Sequence, residues 1–158
     1  MLVERCGMGA AVHEDKLYVV GGFNGRCRAT VEVYNPDANA WQPVAPLRSR
    51  RAYLAVVSCE KFVYAIGGFD GGYLKTVERY DVERDVWEDV APMGIARSSA
   101  AACEWNGYIY VFGGWNGIAC HSVERYDPSA DQWEYMTKLE ADRVGLCCCT
   151  HYPVPEGD

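Results

Sequence analysis

Several things the sequence lacks narrow its class. No apolar run approaches the roughly 18 residues needed to span a bilayer. The opening stretch, "MLVERCGMGA", has no basic region followed by an apolar core and does not read as a secretory signal. Cysteines stand at 6, 27, 59, 103, 120 and 147–149, yet none form a CxxC pair. Three adjacent cysteines suit neither a disulfide framework nor a zinc knuckle. Buried free thiols in a reducing compartment are the expectation, with a cytoplasmic location. No segment sustains a 3.6-residue apolar period, so helices are not expected. Positive charge is scarce: 15 Lys and Arg stand against 22 Asp and Glu, for a net charge of −7. That balance speaks against nucleic acid as a partner, since phosphate contact needs a basic footprint.

Glycine, by contrast, is plentiful. In "YAIGGFDGGYLK", Tyr64–Lys75, four glycines crowd together, which raises the question of a phosphate cradle. A nucleotide-binding loop of the P-loop type adds a Lys and a Ser or Thr at fixed offsets and opens a helix. Neither is present, and strand-favouring residues, Thr76, Val77 and Tyr80, follow instead.

An internal repeat explains the glycines. Gly21-Gly22, Gly67-Gly68 and Gly113-Gly114 recur every 46 residues without a gap. Tyr18, Tyr64 and Tyr110 keep the same interval, as do Tyr34, Tyr80 and Tyr126, Trp41, Trp87 and Trp133, and Glu32, Glu78 and Glu124. Arg5, Arg51, Arg97 and Arg143 extend the series to a fourth start. Such periodicity marks a repeat architecture. Each unit reads as four short strands; in the second they are 52–58, 62–67, 76–80 and 86–90. The fold class is therefore all-β, with three four-stranded antiparallel blades of a β-propeller and one extra C-terminal strand. The repeats occupy residues 1–46, 47–92 and 93–138. Residues 139–152 carry the extra strand, and 153–158 form a flexible tail. Double glycines let neighbouring backbone approach where a Cβ would clash, and the recurring Tyr and Trp are expected between blades.

A double glycine after an apolar strand, then Tyr, then Trp about seven residues on, resembles the Kelch motif. "TVERYDVERDVWEDVAPM", residues 76–93, is especially similar to the repeats of Kelch-like (BTB-Kelch) adaptor proteins. The resemblance covers essentially the whole chain. It implies a six-bladed parent of which this chain is the C-terminal half, with the extra strand completing the first blade. An upstream dimerisation domain would then be missing. A homodimer of half-rings is the rival arrangement. The implied role is substrate recognition for a cullin-type ubiquitin ligase, and the alternative is an actin-binding cytoskeletal protein.

Strand order assigns the loops to two ends. The loop after each second strand lies beside the connection from each fourth strand to the next blade; the other two turns lie opposite. The first end holds Arg26, Arg28, Arg48, Arg50, Arg51, Lys75, Arg97 and Arg143 against Asp70, Glu140 and Asp142. The second is acidic, with Asp81, Glu83, Asp85, Asp127 and Asp131 among its residues. An acidic chain thus presents one basic end, suited to an acidic or polar peptide of a substrate protein. Phe23, Phe69, Tyr73 and Trp115 follow the double glycines there, and arginine beside aromatics is typical of binding hot spots. The family resemblance places partner contacts at Arg51, Arg97 and Arg143, at Tyr53 and Ser99 two residues after the first two of these, and at Thr30, Thr76 and Ser122. Arg50 joins them as a neighbouring cation. The same recurring arginines equally suit structural ion pairs with Glu32, Glu78 and Glu124. The third connection, "KLEADRVG", lacks the usual proline and brings two acids near Arg143.

Catalysis is not expected, nor a cofactor, a metal or membrane attachment. Glycoside hydrolysis would need two carboxylates facing one cleft, and Asp70 has no obvious mate. Cys147, Cys149 and His151 alternate like ligands on a strand, but Cys103, Val57 and Ala11 hold the places equivalent to Cys149. Structural cysteine is the expected role.

Overall fold

The computed structural model describes residues 1–141 and 143–148. Twelve strands form three sheets. The first holds β1 (Gly9–His13), β2 (Lys16–Val20), β3 (Val31–Asn35) and β4 (Ala40–Val44). The second holds β5 (Ala55–Cys59), β6 (Phe62–Ile66), β7 (Val77–Asp81) and β8 (Val86–Val90). The third holds β9 (Ala101–Trp105), β10 (Tyr108–Phe112), β11 (Ser122–Asp127) and β12 (Gln132–Lys138). Each sheet is an antiparallel meander in chain order. The described residues contain no helix, and so none long and apolar enough to cross a membrane.

Alternation across the middle sheet builds the core. All five residues of β6 are buried. Tyr64 and Ile66 point toward the third sheet and join Ile109, Val111 and Tyr126. Val63 and Ala65 point the other way and join Tyr18, Val20, Val31 and Val33. Successive side chains of a strand face opposite ways, so one strand of alternating contacts serves two cores. The cores therefore lie in the seams between blades, where the recurring aromatics were expected. Tyr18 meets Tyr80 across the first seam and Tyr64 meets Tyr126 across the second, with ring centroids 6.0 and 5.8 Å apart. Trp87 Nε1 donates to Ala45 O of the preceding blade (2.9 Å), and Trp133 Nε1 repeats the bond to Ala91 O (2.8 Å).

The double glycines sit where the next blade's connection crosses. A Cβ on Gly67 would stand 2.5 Å from Arg97 O, and one on Gly68 2.7 Å from Ala52 O. Both have positive φ, 60° and 103°. Space and backbone conformation each demand glycine here.

Two expectations change. The first strand of the middle blade begins at Ala55 rather than residue 52, because Tyr53 takes a left-handed conformation (φ 54°) that interrupts the ladder. The extra strand expected at 139–152 is not formed among its described residues. The reason is topological: a first strand ladders only with the second strand of its own blade. The described residues among 139–148 have no such partner, yet Arg143 docks as the earlier connections do. Gly114 N donates to Arg143 O (2.9 Å) just as Gly22 N donates to Arg51 O and Gly68 N to Arg97 O. Cys149, His151 and the 153–158 tail lie outside the described residues.

Candidate functional site

The end bearing the double-glycine loops is built by a recurrent lock. Arg51 Nη1 donates to Gly67 O (3.0 Å) and Thr76 O (2.9 Å), and its Nη2 to Glu78 Oε1 (2.6 Å). Glu78 in turn accepts the backbone N–H groups of Arg48 (2.7 Å) and Ser49 (3.1 Å). One ion pair thus ties the connection, the loop after β6 and strand β7. Arg97 repeats it with Gly113 O, Ser122 O and Glu124, and Arg5 with Gly21 O, Thr30 O and Glu32. The Arg51 and Arg97 side chains are fully buried.

This burial corrects the expectation that Arg51 and Arg97 touch a partner. Their Nη groups donate to carbonyls, a hydroxyl and a carboxylate inside the blade, and the side chains expose no surface. Their charge is also cancelled locally, so the end is less basic than its residue list implied. Arg48 is paired as well, with Asp89 at 3.3 Å. Ser122 is buried, its Oγ accepting from Arg97 Nη2 (2.6 Å). Thr76 is exposed, although its Oγ1 accepts from Arg51 Nη2 (3.2 Å). Thr30, Arg50 and Arg143 are exposed. Among the described residues the Arg143 side chain makes no hydrogen bond.

The partition of acidic and basic ends is also less sharp at the outer edge. Asp85 Oδ1 accepts the N–H of Ala45 and Asp131 Oδ1 that of Ala91, each at 2.8 Å. Twist between successive strands carries the outer turn of each blade round to the start of the preceding connection. The same carboxylates accept from Tyr80 and Tyr126, both at 2.6 Å. Burial, followed by this carboxylate partner, holds both phenols well above the usual tyrosine range.

The aromatic residues are brought together. Phe69 and Tyr73 meet edge to face at 5.5 Å, and Trp115 Nε1 donates to the Tyr73 hydroxyl (3.0 Å) across the second seam. Phe23, Tyr73 and Trp115 each leave more than a third of their surface open. Toward the inner strands runs a second feature. Gly7, Tyr53, Ser99 and Gly145 are equivalent and all have positive φ, between 51° and 68°. Their backbones form a chain: Tyr53 N to Gly7 O (2.6 Å), Ser99 N to Tyr53 O (2.8 Å) and Gly145 N to Ser99 O (3.0 Å). Glycine serves at two of these places without strain. Tyr and Ser at the other two hold their side chains at a cost of about 1–2 kcal/mol each. The Tyr53 side chain is nearly half exposed. The signal for this in the sequence is the alternation Gly, Tyr, Ser, Gly at one repeat position.

Among the described residues no group of three or more His, Cys, Asp or Glu is arranged to hold a metal. Burial and the carboxylates of Glu104 and Glu60 push the Cys59 thiol up to about 12, which leaves it unreactive.

Comparison with known proteins follows the same outline. The model of the KLHDC2/KLHL20/DRC7 Kelch-repeats domain matches residues 3–151. Human Kelch-like protein 25 is 41% identical over 70 residues, 38% of this chain and 12% of its own length. The human influenza virus NS1A-binding protein is 43% identical over 53 residues, 33% of this chain and 8% of its own. Homolog B of that protein from Danio rerio is 40% identical over 62 residues, 37% of this chain and 10% of its own. The chain spans about a tenth of the length of these curated relatives.

Proposed function

The chain belongs to the Kelch-repeat family, whose propellers are protein-interaction domains, and from that premise we propose that its double-glycine end grips a polar or acidic peptide segment of a substrate protein. The observation that carries the reading is the strained row at Tyr53 and Ser99. Residues held in sparsely populated backbone conformations cluster at ligand clamps and active sites. Here glycine would suffice for the backbone, as Gly7 and Gly145 illustrate, so the side chains themselves are what the strain retains.

Around that row, Phe23, Tyr73 and Trp115 supply flat exposed contact area, and Thr30 and Thr76 supply hydroxyls. Arg50, Arg26 and Lys75 are exposed cations at the same end, and Arg143 extends them. Charge-assisted contacts to these groups favour a carboxylate-bearing segment, with affinity falling at high salt. Arg51, Arg97 and Ser122 act behind the surface by holding the loops in place. In the longer protein, this segment recognises substrates for a cullin-type ubiquitin ligase.

A displayed library of random dodecapeptides, selected on the full chain, tests the peptide face. Acidic peptides are expected to enrich, and their affinity to fall ~10-fold in Tyr53→Gly, which keeps the backbone conformation while removing the ring. Enriched peptides indifferent to both Tyr53→Gly and Trp115→Ala would overturn the site. Co-sedimentation of the chain with actin filaments would favour the cytoskeletal role. For the ligase role, capture of a cullin by the full-length protein is expected, and its absence counts against it.

A further inference from the structure

The two seams differ at their outer end. At the first, Ser49, Gly72 and Asp89 are exposed, and Arg48 Nη1 lies 3.3 Å from Asp89 Oδ2. Moving one repeat along, those positions become Ile95, Ile118 and Tyr135, with Gly94 in place of Arg48. At the second seam Ile95, Ile118 and Tyr135 line a cleft of about 260 Å³ together with Ala119, His121 and Lys138. Ile118 is 72% exposed and Tyr135 59%. Ser49, Gly72 and Asp89 are exposed although blades flank their own on both sides. The exposure at the second seam is therefore a property of this part of the blade, and does not arise from blade three standing last.

A second change sits beside the first. Strands β4 and β8 stop at Val44 and Val90, and Pro46 and Pro92, two residues on, have no N–H to add to a ladder. Lys138 stands at that repeat position in blade three and pairs with Ser122. Strand β12 accordingly runs seven residues where β4 and β8 run five, with a register shift at Val123/Glu124. It is the outermost strand of its sheet. Its outer edge presents unpaired backbone groups directly beside the cleft.

We propose that this cleft and the edge of β12 form a second docking site, distinct from the Tyr53 row, for an extended segment of a partner protein. The segment adds a strand along Tyr135–Lys138 and buries one bulky aliphatic side chain between Ile95, Ile118 and Tyr135. Backbone pairing supplies affinity and the cleft supplies selectivity, as in other cases of strand addition. The volume suits one side chain and is small for a cofactor. No described lining residue is acidic, and Lys138 is exposed at its margin. The occupant therefore carries a carboxylate next to its apolar anchor.

The test uses the full chain with isoleucine methyl labels. The probe is a blocked hexapeptide alternating threonine with valine, with a central leucine followed by aspartate. Saturable shifts at Ile95 and Ile118 are expected, weakened ~10-fold in Ile118→Gly or Tyr135→Asp, which install the blade-two residues. Lys138→Gln is expected to weaken binding a few-fold, ~3-fold, and to remove most of its salt dependence. Amide spectra of each variant confirm folding. The proposal is overturned if these methyls do not shift, if a serine-for-leucine peptide binds equally, or if Tyr135→Asp binds as well as the native chain. Self-association abolished by Ile118→Gly in the absence of peptide would overturn it in favour of a second copy as occupant.

Discussion

The two seams are built alike inside and differently outside. Both close on a buried Arg–Glu pair, a tyrosine pair and a tryptophan donating to the preceding connection. At the outer end one carries an exposed Arg48–Asp89 pair and the other an apolar cleft under Ile118 and Tyr135. What recurs every repeat is architecture, because each blade must solve the same packing problem against its neighbour. What departs from the repeat is free to specialise. The strained Tyr53 and Ser99, set against Gly7 and Gly145, follow the same rule.

The largest effect expected from breaking the shared part is at Arg97. Arg97→Ala leaves the Glu124 carboxylate buried without its cation and is expected to destabilise by about 3–5 kcal/mol, read by urea denaturation. Normal stability in that variant would return the arginine to the list of partner contacts. Next comes glycine. Gly68→Ala is expected to cost about 2–3 kcal/mol, since φ is 103° and the new Cβ meets Ala52 O. Gly71→Ala, with nothing within 4 Å, should cost about 1 kcal/mol. Equal losses would show that the seam does not press on the double glycine.

A smaller, pH-dependent effect comes from Tyr80 and Tyr126, one at each seam. Both phenols are raised above their usual 10.0 by burial and by the Asp85 and Asp131 carboxylates. Their contribution is complete below the unfolded value and is lost as pH rises beyond it. Stability should therefore fall above about pH 10, with phenolate absorbance from these residues appearing only on unfolding. The smallest effect is at the outer end of the first seam. Asp89→Ala removes a pair that is more than half exposed and should change stability by less than about 1 kcal/mol.

Much of this was legible in the sequence. The 46-residue register gave four strands to each of three repeats, since short β-branched and aromatic runs between turn residues have one economical pairing. The double glycines and the tryptophans could be assigned because every copy repeats them. The arginines could not. Arg51 and its repeats left partner contact and an internal pair with the recurring glutamates both open, and only the position of Glu78 on the facing strand decides for the pair. Tyr53 carries no mark of its positive φ unless it is set beside Gly7 and Gly145. The extra strand is not formed among its described residues, because a strand is defined by its partner and these residues have no second strand to ladder with. Ile118 and Tyr135 were readable only as exceptions to the register, against Gly72 and Asp89.

That the arginines of the repeat are internal locks is tested most directly by a double-mutant cycle between Arg97 and Glu124. Arg97→Met and Glu124→Leu are expected to be coupled by about 2 kcal/mol or more, the double variant being far more stable than the sum of the two losses. Additive losses would contradict a buried pair and place the guanidinium at the surface, available to a partner.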